Sequence, residues 1–439
     1  MSGLHKLPLY PQTVAVSDRG HLCIAGCDVV SLSERFGTPL YLIDECTFRN
    51  HCREFKTEFS KYYHDAVVVY ASKALLNRQV ALIIAEEEIG LDVVSGGDLT
   101  IARSVNFPMD NVYFHGNNKT LQELEMALNF GVGTIVLDNF YELDMLARLV
   151  TKNNHHQRVM LRITPGVDPH THKYTSTGIL DSKFGFPLPT GQAAEAVKKT
   201  MAAPGLCLMG LHFHLGSPLF EVEPYLLALD LVFQFAADMK RELGMQFEEL
   251  SIGGGFAVPY VIGDEAPSKA DYAKAIADRI NGLCSRLKIT LPRLTIEPGR
   301  AIVAQAGVAL YSVGAIKSIP GVRKYVCIDG GMSDNIRPAL YGSKYEALVA
   351  NKVNDVENDV VTIVGKLCES GDILIKDTKL ASMESGDIIA MPVCGAYSVP
   401  MSSNYNNALR PAIVLLNNGE AKIIRRRESY KDLIRLDAI

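Results

Sequence analysis

Residues 66–99 read AVVVYASKALLNRQVALIIAEEEIGLDVVSGGDL, and this stretch sets the pattern from which the fold is predicted. It contains two short apolar runs, at 67–70 and 91–94, separated by a longer segment. Short strand-like runs continue to alternate with segments that place apolar residues at helical spacing. Repeated strand–helix units predict a parallel sheet with right-handed crossovers. Eight strands are predicted, at 67–70, 91–94, 112–114, 134–137, 159–163, 206–214, 250–252 and 294–296.

Eight such units in about 250 residues have the size of a (β/α)8 barrel, whereas an open doubly wound sheet is the alternative with the same rhythm. After about residue 305 the pattern changes to strand-like runs with few helical segments between them. These runs lie at 308–313, 325–328, 360–364, 388–392, 412–415 and 421–424. We therefore predict an α/β chain with a TIM-like barrel at 46–305. Residues 1–45 and 306–439 are predicted to form a second, mainly β domain of sandwich or barrel-like form.

The composition is that of an ordinary globular protein, with 48% hydrophobic and 21% charged residues. Lys and Arg number 44 against 49 Asp and Glu, and the resulting net charge of −5 argues against nucleic-acid binding. A membrane span needs about 20 mostly apolar residues, and we expect none here. The nine cysteines are scattered without a CxxC pair, which is typical of free thiols. We expect a cytoplasmic protein.

Polar residues and glycines follow most of the predicted barrel strands. In barrel enzymes the active site lies at the C-terminal ends of the strands, so these positions are the candidate site. They comprise Lys73, SGG at 95–97, HGNN at 115–118, HLGS at 214–217, GGG at 253–255 and EPGR at 297–300.

Lys73 directly follows a strand of the buried type. In a barrel mouth its amine is expected to be desolvated, which lowers its pKa and frees it to form a Schiff base. A solvated lysine just beyond the strand is the alternative. The glycines at 253–255 lie where barrels bind phosphate, since glycine lets backbone amides approach an anion closely, and Ser217 would add a hydroxyl donor. A plain tight turn is the alternative for these glycines.

His212 and His214 form an HxH pair on the predicted sixth strand, and a period of two places both on one face. Two such imidazoles either ligate a metal, or divide into one that stacks on a flat cofactor ring and one that is structural. The further metal ligands would be His115, Asp92 and Glu297. Alternatively, Glu297 would keep the ring nitrogen of a pyridine cofactor protonated, which makes the ring a better electron sink, or would form a salt bridge to a nearby arginine.

A series of motifs resembles the diaminopimelate decarboxylases, which are pyridoxal-phosphate enzymes of the alanine-racemase-like barrel class. The resemblance covers about 38–424, and it includes VDPHTH at 167–172. EPGR is shared with relatives such as the ornithine decarboxylases, whereas HGNNK, VDPHTH, IRPALYG and CESGD together are much more specific. The other motifs are YASK, GLDVVSGGDL, HFHLGS, SIGGGF, DGGMSDN and GAYSVPMSSNYN.

The resemblance implies pyridoxal 5′-phosphate as the cofactor and no metal. It implies decarboxylation of meso-2,6-diaminopimelate to L-lysine and CO2 through an external aldimine, the last step of lysine biosynthesis. Lys73 would hold the cofactor as a Schiff base, His214 would stack on its ring, and Glu297 would meet the ring nitrogen. The phosphate would be held by Ser217, Gly253, Gly254, Gly255, Pro298, Gly299, Arg300 and Tyr397.

The same resemblance implies a substrate site shared across a homodimer. Cys368 would donate the proton that replaces CO2, and Glu369 would bind the distal amine, both from the partner subunit. A thiol in the site can act as that acid, although a free cysteine is more often a buried small hydrophobe. Arginine binds carboxylate bidentately, so two arginines suit a substrate with a second carboxylate. The residues implied for the distal carboxylate are Arg300, Arg337 and Tyr341, and Tyr397 is implied as a further substrate-binding residue.

Two departures from the family pattern affect loops. Pro218 stands in HLGSPLF where HIGSQ is expected, and Asp98 replaces the commoner glutamate of SGGEL. The first alternative function is a decarboxylase of D-lysine, D-ornithine or a polyamine precursor, which need not keep the distal arginines. The others are a racemase, disfavoured by an acidic Glu297, a metal-dependent hydrolase built on the HxH pair, and a non-catalytic cofactor-binding protein.

Overall fold

The structure is a computed structural model that describes residues 2–168, 178 and 181–438, so that 169–172 of the VDPHTH motif lie outside the described residues. The chain divides into two compact units. The barrel unit comprises Cys52–Ala257 and Ala266–Gly299, and the β unit comprises Met1–His51, Val258–Glu265 and Arg300–Ile439. Contacts thus group 258–265 and 300–305 with the β unit, which the strand–helix rhythm did not predict.

Eight parallel strands form the barrel, and each pairs with the next along the chain. The eighth strand pairs with the first, which closes the sheet and confirms the predicted barrel over the open-sheet alternative. A short strand, Phe186–Pro187, adds to the edge of the fifth barrel strand. In chain order the barrel strands are Ala66–Ala71, Gly90–Val93, Val112–Phe114, Thr134–Leu137, Gln157–Thr164, Leu206–His212, Glu249–Ser251 and Arg293–Ile296.

Helices alternate with these strands, and several begin at side chains that cap them. Asn77 accepts from the Val80 amide, and Thr120 and Ser268 each start a helix with a reciprocal capping box, which satisfies otherwise unpaired amides of the first turn. Short 3-10 helices lie at Ser72–Ala74 and Met109–Asn111. The α-helices are Glu45–Tyr62, Arg78–Glu86, Gly96–Ser104, Leu121–Phe130, Phe140–Asn153, Gln192–Ala202, Glu223–Leu243 and Lys269–Leu287.

The sixth barrel strand ends at His212, so the prediction that it continues to His214 was wrong. The Phe213 amide still donates to the Ser251 carbonyl over 3.0 Å, whereas the Leu215 carbonyl accepts from the Gly178 amide, outside the barrel strands. Only His212 of the HxH pair therefore lies on the strand, and His214 belongs to the loop that follows it.

The lower part of the barrel interior is packed solid. Val69, Tyr113, Val136 and Met160 come from four different strands and form one buried cluster. Beside it, the Tyr113 hydroxyl donates to Glu249 over 2.7 Å. This layer leaves polar chemistry to the C-terminal ends of the strands, as in other barrels of this class.

The β unit is built on one large mixed sheet. Leu40–Asp44 pairs antiparallel with Gly307–Ile319 and parallel with Ala412–Asn417, so a strand from the N-terminal part lies in the middle of the sheet. The predicted strands of this part are all present, whereas Ile373–Leu380 was missed because its alternation is interrupted by the charged residues of KDTK. The remaining strands of this sheet are Arg323–Ile328, Leu348–Val349, Asp359–Val364, Ile388–Met391 and Glu420–Arg425.

Apolar residues of both sequence parts fill the core of the β unit, including Leu42, Leu310 and Val414. Nothing in the described part of the chain forms a helix long and apolar enough to span a membrane. A small antiparallel sheet comprises Ala15–Val16, Leu22–Ile24 and Cys27–Asp28. The α-helices of this unit are Val29–Phe36, Arg300–Val303, Arg337–Tyr341 and Tyr430–Ile434, with 3-10 helices at Gly3–Leu9, Val399–Met401 and Tyr405–Asn407.

Candidate active site

Four buried ionisable residues meet at the C-terminal ends of the barrel strands. Asp92 and His212 lie within the second and sixth strands, whereas His115 and Glu297 each follow the last residue of a strand. One carboxylate oxygen of Glu297 lies 3.3 Å from His115 Nε2, and the other lies 3.2 Å from His212 Nε2. His115 Nε2 is also 3.9 Å from Asp92 Oδ1. The two imidazoles meet edge to face, with ring centroids 4.8 Å apart.

Burial and neighbouring charges shift the pKa values of Glu297, His115 and His212. Burial raises the pKa of Glu297, but His115 and His212 outweigh it, so the net pKa lies well below its ordinary value. Burial lowers the pKa of His115, yet Asp92 and Glu297 raise it above its ordinary value. Burial lowers the pKa of His212 to about 4, which leaves this imidazole neutral at pH 7. Glu297 is therefore an ionised carboxylate beside the neutral His212, and beside His115, whose protonated form Asp92 and Glu297 favour.

Ser251 fixes the orientation of Glu297. Its hydroxyl donates to Glu297 Oε1 over 2.7 Å, and the Gly253 amide donates to the same hydroxyl over 3.2 Å. Sequence reasoning missed this residue, although Ser251 lies on an inward-facing position two residues before the glycines. It considered His115 only as a metal ligand.

The three glycines after the seventh strand form a tightly packed turn. A Cβ on Gly254 would lie 2.3 Å from the Glu297 carbonyl oxygen, and one on Gly253 would lie 2.7 Å from the Phe213 carbonyl oxygen. Gly253 and Gly255 also have φ values of +69° and +115°. Only glycine fits these positions without strain, because side chains rarely adopt such φ angles. The turn is thus built for close backbone approach rather than for a side chain.

The loop that carries Ser217 is attached to this turn. The amide of Leu219 donates to the Gly255 carbonyl over 2.8 Å, and a Cβ on Gly255 would lie 2.6 Å from the Gly216 carbonyl oxygen. His214 is equally close to the turn, since its Nδ1 lies 2.8 Å from where a Cβ of Gly253 would be. The structure therefore brings together the predicted phosphate-binding loops of two neighbouring strands.

Lys73 follows the first strand within the 3-10 helix Ser72–Ala74, and its side chain is exposed. The expected desolvation is therefore not provided by protein atoms. Its ammonium group acts on the pKa values of Asp92 and His214. Gly299 packs against the chain segment that carries Lys73, because a Cβ on Gly299 would lie 3.0 Å from the Ala71 Cβ. Lys73 thus belongs to the same barrel mouth as the histidines and the glycine turn.

The alternative of a metal site has a geometric basis in His115, His212 and Glu297. One ligand atom of each lies within 4.8 Å of the others. His214, which the HxH interpretation needed, is not part of this group. Glu297 also accepts a hydrogen bond from Ser251, so a single carboxylate contacts this hydroxyl and both imidazoles.

A second cluster lies within the β unit and contains two buried arginines. Arg300 and Arg337 are 5% and 6% exposed, so both charges are removed from water. Arg300 Nη1 donates to the Tyr260 hydroxyl over 2.7 Å, and Arg337 Nε donates to the Tyr345 hydroxyl over 3.0 Å. Sequence reasoning missed both tyrosines, since neither lies next to an arginine in the chain. A buried guanidinium whose hydrogen bonds go to neutral oxygens, as those of Arg337 go to Tyr345 and Ser343, is suited to bind an anion.

Aromatic rings hold the two guanidinium groups in place. The Arg300 Cζ lies 4.9 Å from the Tyr397 ring centroid, and the Arg337 Cζ lies 5.6 Å from that of Tyr341. Both arginines also lie within 5.6 Å of the Tyr260 ring centroid. Tyr397 has a φ of +60°, which is unusual for a tyrosine and marks a constrained position. The structure thus brings together Arg300, Arg337 and Tyr341, predicted for the distal carboxylate, with Tyr397, predicted as a further substrate-binding residue.

Cys368 and Glu369 lie on an exposed loop of the β unit. The Cys368 amide donates to Asn406 Oδ1 over 2.9 Å, and a carboxylate oxygen of Glu369 accepts from Gly371 in the same loop. The buried, inert cysteine considered as the alternative is therefore wrong for Cys368.

The family described as "Pyridoxal-dependent decarboxylase, pyridoxal binding domain" matches residues 46–304. The chain belongs to this family, and its cofactor is pyridoxal phosphate.

Within the family, the chain is similar over nearly its whole length to several diaminopimelate decarboxylases. The diaminopimelate decarboxylase of Bacillus subtilis (strain 168) is 43% identical over 96% of each chain. That of Synechocystis sp. (strain ATCC 27184 / PCC 6803 / Kazusa) is 43% identical over 98% of this chain and 93% of its own. A crystal structure of diaminopimelate decarboxylase from M. jannaschii in complex with L-lysine matches with a TM-score of 0.91 and 35% identity, over 100% of this chain and 99% of that one.

The barrel mouth fits the cofactor chemically. Glu297 is held ionised, as a partner for a protonated pyridine nitrogen must be. The turn at 253–255 has the open backbone that a phosphate needs, and the Lys73 amine is accessible to an aldehyde. Glu297 would not have to change its charge to receive the cofactor.

Proposed function

We propose that this chain decarboxylates meso-2,6-diaminopimelate to L-lysine and CO2, the last step of lysine biosynthesis. The observation that carries this choice of substrate is the buried arginine pair. Among the described residues, no carboxylate oxygen lies within 4.0 Å of the Arg337 guanidinium, whose hydrogen bonds go to Tyr345 and Ser343. D-lysine and D-ornithine have no second carboxylate that could bind to this pair.

The barrel residues divide the work at the reacting end of the substrate. When bound, pyridoxal phosphate would supply the electron sink for the pair that loss of CO2 leaves on the α-carbon. Lys73 would hold the cofactor through its amine, and His214 would pack against the ring. Glu297, kept anionic by two histidines, would hold a proton on the ring nitrogen. Ser217, Gly253, Gly254 and Gly255 would bind the phosphate, with Pro298, Gly299, Arg300 and Tyr397.

The β-unit residues act at the other end. Burial opposes the charge of Arg337, but the oxygens of Tyr260 and Tyr345 outweigh it, and its pKa lies above the ordinary value. Arg337 thus stays cationic without a carboxylate and, with Arg300 and Tyr341, would bind the distal carboxylate bidentately. This binding would orient the substrate so that the carboxylate to be lost is the other one.

Cys368 would protonate the carbon that has lost CO2, and Glu369 would bind the distal amine. We propose that both act in the site of a partner subunit, so that a homodimer carries two shared sites and works in the cytoplasm. The exposure of Cys368 supports this role, because an acid that serves another subunit must reach the surface of its own.

The deciding experiment measures CO2 release from meso-diaminopimelate, D-lysine and D-ornithine, with and without added pyridoxal phosphate. Fast, cofactor-dependent release from diaminopimelate alone is expected. Release from the simpler amino acids only would keep the reaction type and overturn the substrate. Absence of release from all three, with stoichiometric metal in the purified protein, would favour the metal-dependent hydrolase.

Mixing two inactive variants tests the shared sites. Lys73→Ala and Cys368→Ala, each weakly active alone, are expected to recover about a quarter of the wild-type activity after subunit exchange. Half of randomly formed dimers are mixed, and each mixed dimer carries one intact site of two. Activity that stays at the level of the separate variants would place Cys368 in the site of its own chain. Cys46→Ala, at another exposed cysteine, serves as the control for Cys368.

A further inference from the structure

Asp372 is a buried carboxylate that none of the roles above uses. Asp372 is only 3% exposed, whereas Cys368 and Glu369, a few positions earlier in the same loop, are exposed. A carboxylate removed from water costs free energy unless hydrogen bonds satisfy it, so its partners reveal what it holds.

The two oxygens of Asp372 bind two different segments of the β unit. Oδ1 accepts from the Met332 amide over 2.6 Å, and Oδ2 accepts from the Leu367 amide over 3.0 Å. Leu367 directly precedes Cys368, whereas Met332 lies in the segment that leads to Arg337. The same two segments also share a backbone hydrogen bond, from the Lys366 amide to the Gly330 carbonyl over 3.3 Å.

Two glycines leave space for this carboxylate. A Cβ on Gly365 would lie 2.1 Å from Asp372 Oδ2, and a Cβ on Gly331 would lie 2.5 Å from Oδ1. Both distances are far below van der Waals contact, so a side chain at either position would displace the carboxylate. One glycine comes from each segment, so the space that holds the Asp372 carboxylate exists only when the two segments are in contact.

The connection continues from Met332 to the arginine. The carbonyl of Gly331 accepts from the amides of Asp334 and Asn335, over 3.1 and 3.0 Å, and Asn335 Oδ1 accepts from the Arg337 amide. A displacement at Met332 is therefore passed along a hydrogen-bonded turn to the start of the Arg337 helix.

We propose that Asp372 is a positioning residue that holds the Cys368–Glu369 loop against the Arg337 segment of the same chain. The inference rests on the proposed function, in which Cys368 is the proton donor and Arg337 binds the distal carboxylate. One buried carboxylate then sets the geometry of both groups. In a dimer with shared sites, it would link the segment that serves one site to the segment that serves the other.

The test compares Asp372→Ala, Asp372→Asn and Gly365→Ala with the wild type. We expect Asp372→Ala to lower kcat about 100-fold and to raise the KM for diaminopimelate, because a shift of about 1 Å in a positioned group can cost that much. Gly365→Ala should reproduce this effect without any change of charge, since it displaces the same carboxylate. Asp372→Asn keeps one acceptor oxygen and should recover part of the loss.

The matched control is Asp387→Ala. Asp387 is 4% exposed and likewise accepts from a backbone amide, that of Glu384, over 2.8 Å, but it contacts neither segment. Bound-cofactor absorbance and the melting temperature are measured for every variant. The inference predicts that kcat falls with Asp372→Ala and not with Asp387→Ala at similar losses of melting temperature, while the cofactor stays bound.

Equal losses of kcat in Asp372→Ala and Asp387→Ala would reduce Asp372 to a structural role and overturn the inference. So would wild-type kinetics of Asp372→Ala. Failure of the proposed function has a different signature, since the wild type would then release no CO2 from diaminopimelate, or Cys368→Ala and Arg337→Lys would be fully active.

Discussion

Lys73→Ala is expected to lose both the absorbance of covalently bound cofactor and CO2 release, the latter by on the order of 10⁴-fold or more. Alanine has no amine to bond the cofactor aldehyde, whereas the charge of Lys73 acts on the pKa values of both Asp92 and His214. The fold should be unaffected, because the Lys73 side chain is exposed.

The measurements are an absorbance spectrum of the purified variant with added pyridoxal phosphate, followed by a reduction with borohydride and mass analysis. Lys152→Ala, at an exposed lysine near the end of the helix Phe140–Asn153, is the control and should behave as wild type. A Lys73→Ala protein that still carries a covalently attached chromophore would refute the assignment of this residue.

Glu297→Gln is expected to lower kcat by about 10²–10³-fold, the cost of removing one preorganised electrostatic partner. Glutamine keeps the shape of the side chain and its hydrogen bond from Ser251, but it cannot hold a proton on the ring nitrogen by its charge. The cofactor should stay bound, because Lys73 and the glycine turn are untouched. The loss should therefore fall on kcat more than on cofactor affinity.

A second measurement on this variant does not depend on activity. Asp92 and Glu297 together raise the pKa of His115 against the effect of burial. In Glu297→Gln one of the two carboxylates that raise the pKa of His115 is neutral, while the lowering effect of burial remains. The pKa of His115 should therefore fall, and NMR titration of the cofactor-free protein can follow this change. An unchanged His115 titration would contradict the charge arrangement described for the barrel mouth.

Glu249→Gln is the matched control for this change. Glu249 is also a buried glutamate of the barrel interior, where it accepts from Tyr113 and from Thr295, each over 2.7 Å. It lies in the layer below the active site. Glu249→Gln should lower the melting temperature and leave kcat near the wild-type value, so an equal loss of kcat in both variants would show that the charge of Glu297 has no special role.

The barrel was predictable because its signal is local and repeated. Each strand is a short run of buried-type residues, and each is followed by a helix whose apolar spacing can be read without knowing its neighbours. Since the active site of such a barrel lies at the strand ends, the positions of Lys73, Glu297 and the glycines at 253–255 followed from the strand assignment. The length of the sixth strand was overestimated because HFHL alternates like a strand, although the Leu215 carbonyl accepts from Gly178, outside the barrel strands.

The residues that hold the site could not be predicted in the same way. Their partners are either distant in the sequence or are backbone amides, which no residue type identifies. These residues are Ser251, Tyr260, Tyr345 and Asp372. A tyrosine that accepts from an arginine is indistinguishable, in sequence, from any other tyrosine. The space left by Gly331 and Gly365 has meaning only once the Asp372 carboxylate is seen to fill it.

The sequence by itself determined the strand–helix order, the places where functional side chains lie along the chain, and the family to which they point. Only the tertiary structure decided which charges those side chains carry. Glu297 is ionised because two imidazoles lie within 3.3 Å of it, and the buried guanidinium of Arg337 is satisfied by the hydroxyl of Tyr345. Charge in a protein interior depends on distance and on desolvation, and neither is fixed until the chain has folded.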